Sequence, residues 1–324
     1  MRQNAPTMQA AVVEAPTHAH IAPVNIPEPH EDSVRVRLEG CGVCGSNLPA
    51  WEGRPWFKYP LAPGELGHEG WGRIDALGPN ATQFKIGERV AFLSYRAYAE
   101  YDIAQEKDVI RLPAALDDQP FPGEPLGCAM NVFARSEIKP GQTVAIIGIG
   151  FLGALLTSLA SNAGATVIAI SRRRFALAIA RDCGAAETIP MEDNKYIVDR
   201  VRKITAGKGC ERVIEAVGQQ WPLDLASELT CERGRLIIAG YHQDGPRKID
   251  LQLWNWRGLD VINAHERDPA TYLAGMQAAV EAVAKGRLNP TPLYTHQFRL
   301  DQIDIAFNSM RDRPDGFLKA LITL

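Results

Sequence analysis

The sequence predicts an α/β chain in two parts: a doubly wound parallel sheet, and ahead of it a β-rich portion. Three observations predict it. Val144-Ala145-Ile146-Ile147 reads as a buried parallel strand and runs into Gly148-Ile149-Gly150-Phe151-Leu152-Gly153. Strand and helix patterns then alternate along the chain, the signature of a parallel sheet with helices on its faces. Up to about residue 120, short apolar runs are separated by turns, with no long helical period.

The β-rich part carries strand patterns at 8–13, 34–38, 72–77, 89–93 and 99–103, punctuated by Pro23, Pro27, Pro29, Gly78-Pro79 and Gly87. Glu124-Pro125-Leu126 opens a helix, with proline suited to its first position. Lys139-Pro140-Gly141 turns the chain into the strand at 144–147, and Leu152, Leu155, Leu156 and Leu159 give the next segment a helical period. A strand follows at 166–170, then a helix at 175–182 that Gly184 ends. An amphipathic helix is expected at 192–204, with strands at 212–217, 235–239 and 259–262. Asp268-Pro269 starts a helix that Gly286 ends, and a strand near 297–300, a helix near 301–310 and a strand at 318–324 complete the chain.

Gly148, Gly150 and Gly153 form G-x-G-x-x-G between a strand and a helix, the arrangement that binds a dinucleotide. The first glycine permits a tight turn and the second lets a pyrophosphate approach the backbone. The third lets the helix pack close, with its N-terminal amides toward the phosphates. About 20 residues on, an NAD-binding fold places an acid to hold the ribose 2′-hydroxyl. Here Ser171-Arg172-Arg173-Arg174 stands in that place. Arginines at a helix N-terminus oppose the macrodipole unless an anion answers them, so NADP(H) is expected over NAD(H). A solvated basic patch is the plainer alternative.

Composition narrows the function classes. The chain has 324 residues, enough for two cores, and its 46% hydrophobic and 23% charged content is that of a soluble globular protein. A net charge of -3 offers no field for nucleic acid or an anionic membrane. No run reaches membrane-spanning length, and the first residues lack a secretory apolar core. Six cysteines are too sparse for a disulfide scaffold, which points to the cytoplasm.

Two glycine-rich clusters carry metal-binding residue types, Gly40-Cys41-Gly42-Val43-Cys44-Gly45-Ser46-Asn47 and Pro63-Gly64-Glu65-Leu66-Gly67-His68-Glu69-Gly70. A thiolate, an imidazole and a carboxylate suit zinc, and three protein ligands leave a position for substrate. Taken singly, His68 reads as a hydrogen-bonded core histidine and Cys44 as a small buried residue. Cys41 and Cys44 also have the spacing of a redox pair, without the βαβ context of such motifs. Glu124 and Cys128 stand four apart on one helix, as further ligands or as a dipole-facing carboxylate and a buried thiol.

With these motifs in hand, the chain resembles the zinc-dependent medium-chain dehydrogenase/reductase superfamily of alcohol, polyol and threonine dehydrogenases over nearly its whole length. Gly-Val-Cys-Gly-Ser at 42–46 and Gly-His-Glu at 67–69 look like its zinc motifs. Segments 213–218 and 234–240, ending in Gly240, are similar to later cofactor-domain strands, and 313–319 is similar to the C-terminal segment whose basic residue, here Lys319, reaches the cofactor pyrophosphate.

The resemblance implies a GroES-like catalytic domain from residues 1–129 and 265–324 around a Rossmann domain at 130–264. It implies one zinc on Cys44 and His68, with Glu69 as ligand or exchangeable neighbour and Glu124 or Cys128 completing the set. It further implies that Ser46 takes the substrate proton, and a homo-oligomer, dimer or tetramer. The expected activity is a zinc-dependent, NADP(H)-linked alcohol dehydrogenase or carbonyl reductase. A zinc-independent quinone or enoyl reductase and a non-catalytic nucleotide-binding protein are the alternatives. Four departures from the family pattern stand out: no four-cysteine lobe lies between His68 and Glu124, Pro49 replaces the histidine that ends the proton relay, Asn47 replaces an aspartate, and Glu124 and Cys128 are both present. Trp51, Trp56, Phe57, Tyr59, Tyr95 and Tyr98 are candidates for an aromatic substrate wall, which would suit an apolar or ring-like substrate face.

Overall fold

The computed structural model describes residues 6–324 and divides them into two compact units. One comprises residues up to Gly127 together with Met276–Leu324, and the other is Cys128–Gly275. The divisions fall inside helices α2 (Gly123–Ser136) and α8 (Pro269–Ala284).

The first unit is built on a seven-stranded sheet of β3 (Ser33–Val43), β4 (Gly70–Leu77), β5 (Arg89–Phe92), β6 (Tyr101–Gln105), β7 (Val109–Arg111), β14 (His296–Arg299) and β15 (Ala320–Thr323). The order is β14-β15-β3-β4-β5-β7, and β6 also pairs with β3. A separate antiparallel hairpin joins β1 (Thr7–Ala15) to β2 (His18–Asn25), with Thr17 in the left-handed region at its turn. Val34, Val36 and Leu38 from β3, Ile74 from β4, Phe92 from β5 and Ile322 from β15 form the core with Trp51 and Phe307. Those last two rings stack at 4.9 Å and bring short helix α1 (Leu48–Trp51) against α9 (Ile303–Asp312).

The second unit is a six-stranded parallel sheet in the order β10-β9-β8-β11-β12-β13. The strands are β8 (Thr143–Ile147), β9 (Thr166–Ser171), β10 (Glu187–Pro190), β11 (Cys210–Glu215), β12 (Thr230–Ile238) and β13 (Asp260–Asn263). Numbered within the unit this is 3-2-1-4-5-6, with the order reversing between β8 and β11, the point where such sheets take ligands. Ala145, Ile147, Ile168, Ile170 and Val213 line one face and pack on α5 (Asn194–Ile204) and α6 (Gln220–Leu229). Ile146, Ala169, Ile214 and Ile237 point to the other face and are equally buried, with α3 (Phe151–Asn162) and α4 (Arg174–Asp182) against β8 and β9. Burial on both faces explains the unbroken apolar runs of these strands.

Several elements escape the sequence patterns. β2 contains Pro23 and β10 ends in Pro190, residues that argue against strands, yet one lies in an isolated hairpin and the other on the sheet edge. Helix α6 holds Pro222 in its first turn, where no intrahelical N–H is lost. The seven-residue helix α7 (Leu251–Arg257), capped by Asp250 and ended by left-handed Gly258, is too short for a visible period.

Candidate active site

Two strand pairings assemble a cluster in the first unit. The register of β3 with β4 sets Cys41 opposite Gly70, so the turn after Val43 lies beside the turn before Gly70. On the other edge of β3, β15 sets Ala320 opposite Val43 and delivers Lys319 to the same place. Cys44, His68 and Glu69 each bring a ligand atom into this cluster, all within 4.8 Å of one another. Among the described residues this is the one group of His, Cys, Asp and Glu side chains so arranged.

Each member is held by neighbours. His68 donates from Nδ1 to the Leu66 carbonyl at 2.9 Å, which fixes the tautomer and leaves Nε2 for the cluster. The same carbonyl accepts from Asn47 Nδ2 at 3.1 Å, and Asn47 Oδ1 accepts from the Cys44 N–H at 3.3 Å. The buried Asn47 therefore ties the cysteine turn to the histidine turn. Leu66 holds φ +78, a costly conformation for a residue with Cβ, and thereby aims its carbonyl at both donors. Ser46 Oγ donates to Cys44 Sγ at 3.2 Å.

Glu69 is fully buried, and its carboxylate meets Lys319 Nζ at 2.7 Å from Oε1 and 2.5 Å from Oε2. Lys319 also donates to the Val43 carbonyl at 3.0 Å. Burial alone would lower the Lys319 ammonium, but Glu69, Cys44 and Glu124 hold it above its ordinary value, so it stays charged. The carboxylate lies flat against Gly42, where a Cβ would stand 1.7 Å from Oε2. Burial likewise disfavours charged His68, yet its hydrogen bond to Cys44 and the charges of Cys44, Glu124 and Glu69 raise it to about 10. A field that strongly asks for positive charge, lined by sulfur, nitrogen and oxygen donors, fits zinc.

Lys319, expected on the cofactor pyrophosphate, is instead buried on Glu69. Glu124 lies on α2 close enough to act on His68 and Lys319, outside the group of three. Cys128, half-buried one turn along α2, falls in the second unit. Cys41 is fully buried in β3, and burial together with Glu69 pushes its thiol well above the ordinary value, the behaviour of a packing residue. Pro49 occupies the first turn of α1 and is buried. Of the aromatic candidates, Trp51 and Tyr98 belong to the core, and Phe57 and Tyr59 pack against it. Trp56 is exposed, and Tyr95, 76% exposed, has its ring 6.4 Å from that of His68.

In the second unit, Gly148 turns from β8 at φ +98, and a Cβ on Gly153 would stand 2.0 Å from the Gly148 carbonyl. Gly150 caps α3 and has open space where its Cβ would be, room for a phosphate at the helix N-terminus. Ser171 ends β9 and Arg172 is exposed beside it. Arg173 reaches back to the Ile149 carbonyl at 3.4 Å, which brings the arginine stretch onto the glycine turn. Gly240 follows β12, and its N–H donates to the Glu215 carbonyl at 2.8 Å.

Comparisons with known proteins identify the family. The zinc-binding dehydrogenase family profile matches residues 152–282, and the alcohol dehydrogenase GroES-like domain profile matches residues 30–114. The chain belongs to the zinc-type medium-chain dehydrogenase superfamily. It is therefore an oxidoreductase with a GroES-like domain, a Rossmann sheet and the zinc and nicotinamide chemistry of that family. Sorbitol dehydrogenase of Halalkalibacterium halodurans is 26% identical over 92% of this chain and 93% of the relative. D-arabitol-phosphate dehydrogenase of Enterococcus avium is 25% identical over 94% of this chain and 95% of the relative. A solved structure from Sinorhizobium meliloti 1021, described as a zinc-binding dehydrogenase bound to NADP, is 26% identical, with a TM-score of 0.84 over 98% of this chain and 100% of that chain. No helix among the described residues is long and apolar enough to cross a membrane.

Proposed function

We propose that this dehydrogenase is a zinc-dependent, NADP(H)-linked alcohol dehydrogenase or carbonyl reductase. The observation that carries the reading is the convergence of Cys44, His68 and Glu69 beside the Ser46 hydroxyl. Cys44 and His68 would hold the metal, with Glu69 ligating or standing behind it under the hold of Lys319. Zinc there would supply Lewis-acid polarisation of a substrate oxygen. Ser46, already hydrogen-bonded to Cys44, is placed to take the hydroxyl proton. With Pro49 at the end of the usual relay, that proton would leave Ser46 by water or another group.

The NADP(H) preference is supported by Ser171, Arg172 and Arg173 at the end of β9, in place of the acid that an NAD site carries there. It is also supported by the NADP in the Sinorhizobium structure. Tyr95 beside His68 supports a substrate with an apolar or ring-like face next to the reacting carbon. Six scattered cysteines, too few for a disulfide scaffold, support a reducing, cytoplasmic setting.

The test is cofactor reduction followed at 340 nm on zinc-replete protein, with linear, cyclic, aromatic and sugar alcohols and with NADP and NAD in parallel. Turnover with NADP ahead of NAD is expected. Cys44→Ser should lose zinc and turnover together. Full activity in that variant would remove zinc from the reaction.

A further inference from the structure

A second cluster of ionisable groups lies in the Rossmann unit, where the strand ends face the ligand crevice. Glu215, the last residue of β11, is fully buried. Its Oε1 accepts the N–H groups of Val217 and Gly218 at 2.7 and 2.8 Å. His242, in the turn after β12, brings Nε2 to within 3.0 Å of Glu215 Oε2. Arg247 donates from Nε to His242 Nδ1 at 2.9 Å, and from its other arm to the Gly218 carbonyl at 2.8 Å. The chain of bonds closes on itself: Gly218 gives its N–H to Glu215 and its carbonyl to Arg247. Because guanidinium has only donors, Nδ1 must accept and Nε2 must carry the proton toward the carboxylate. This bonding fixes which ring nitrogen of His242 donates.

This ring stitches the turn after β11 to the turn after β12. The two backbones touch so closely that a Cβ on Gly240 would stand 2.2 Å from the Gly218 nitrogen. Next to it, the half-exposed Tyr241 stacks on His265, from the turn after β13, at 5.4 Å. Three successive strand ends therefore form one platform on the β11–β13 side of the crevice. The glycine turn and the arginines occupy the β8–β9 side. A doubly wound sheet has two mononucleotide-binding halves, one on each side of the switch point. The phosphate-binding side takes the adenosine half of the cofactor.

We infer that the Glu215–His242–Arg247 ring is a positioning device that presets the platform for the nicotinamide half. It acts through the Gly218 and Gly240 backbones and makes no contact of its own with the reacting atoms. The inference rests on the nicotinamide cofactor of the family and is independent of the NADP preference.

The test is calorimetric binding of NADPH and NADH to the whole protein, set beside the fragments 2′,5′-ADP and ADP, which lack the nicotinamide half. His242→Leu removes both hydrogen bonds, whereas His242→Gln keeps one donor and one acceptor. The Leu variant is expected to bind the better dinucleotide about tenfold more weakly, to hold the matching fragment within twofold of the unmodified protein, and to be largely rescued by Gln. Equal weakening of dinucleotide and fragment would make the ring a general scaffold and overturn the inference. Unchanged dinucleotide binding in the Leu variant, or a Gln variant no better than Leu, would overturn it too. Failure of the unmodified protein to bind either dinucleotide would remove the cofactor reading itself and the ring's assigned role with it.

Discussion

Lys319→Met cuts the ammonium from a carboxylate that has no other countercharge among its direct bonds. Lys319 and Glu69 are 3% and 0% exposed, so water cannot replace the lost partner. Leaving one member of a buried pair alone costs about 3–5 kcal/mol. At roughly 2–4 °C per kcal/mol for a unit of this size, the melting temperature of zinc-free protein should fall by roughly 6–20 °C. Calorimetry on zinc-free and zinc-loaded protein reads the effect, and the loss should be smaller with zinc, whose charge beside Glu69 stands in for the ammonium. Glu69→Gln in the same chain supplies the control. The double variant should be less destabilised than the two single losses added together, because neither charge is then left alone. A Lys319→Met protein that melts normally but binds cofactor poorly would refute the structural pairing and return Lys319 to the pyrophosphate. Strict additivity in the double variant would refute it as well.

Asp102 is a second stability probe. Burial raises its carboxyl from 3.8 to about 6 in the folded chain, against the pull of the Ile103 and Arg96 amides and the Arg96 charge. A folded value above the unfolded one means stability present below about pH 4 and lost as pH rises through about 6. Asp102→Asn, which can still accept from Ser94, should therefore gain on the order of 1–3 kcal/mol at pH 7–8 and nothing at pH 4, read by urea denaturation at both pH values. Gly42→Ala places a methyl where the Glu69 carboxylate lies, so it should cost several degrees of melting temperature and most of the bound zinc by metal analysis; a zinc-replete, fully stable variant would show that the carboxylate is not confined there. Arg172→Ala with Arg173→Ala should weaken NADPH binding about 10- to 100-fold and NADH binding far less, by fluorescence titration; an equal loss for both would remove the 2′-phosphate assignment.

Local patterns carried the fold a long way. The strand, glycine turn and helix at 144–162 are legible because each rests on neighbours within a few residues: a doubly buried strand must be apolar, and Gly153 must lack Cβ beneath the Gly148 carbonyl. Cys44, Ser46, His68 and Glu69 are legible for the same reason, as short motifs with chemistry of their own. What stayed hidden depends on register between distant segments. Nothing near position 319 says that its lysine will meet Glu69, since the β15–β3 pairing decides it. Nothing near His242 says that Glu215 will meet it, because a strand end 27 residues earlier supplies the carboxylate. Nor does a pattern of aromatic residues separate core from surface: Trp51 and Tyr98 look like Trp56 and Tyr95 until burial divides them.

The lysine that neutralises Glu69 is separated from it by 250 residues. At a synthesis rate of roughly 5–20 residues per second, Glu69 leaves the ribosome roughly 12–50 s before its counter-ion exists. The whole Rossmann unit, Cys128–Gly275, is made in that interval and has all its strands before Lys319 is added. The inner unit can thus finish folding first. Until Lys319 is added, closing β3 on β4 around Glu69 would bury its carboxylate without the ammonium that pairs with it, at a cost of about 3–5 kcal/mol. The two halves of the candidate metal site are then made early and locked only once β15 brings Lys319 to Glu69.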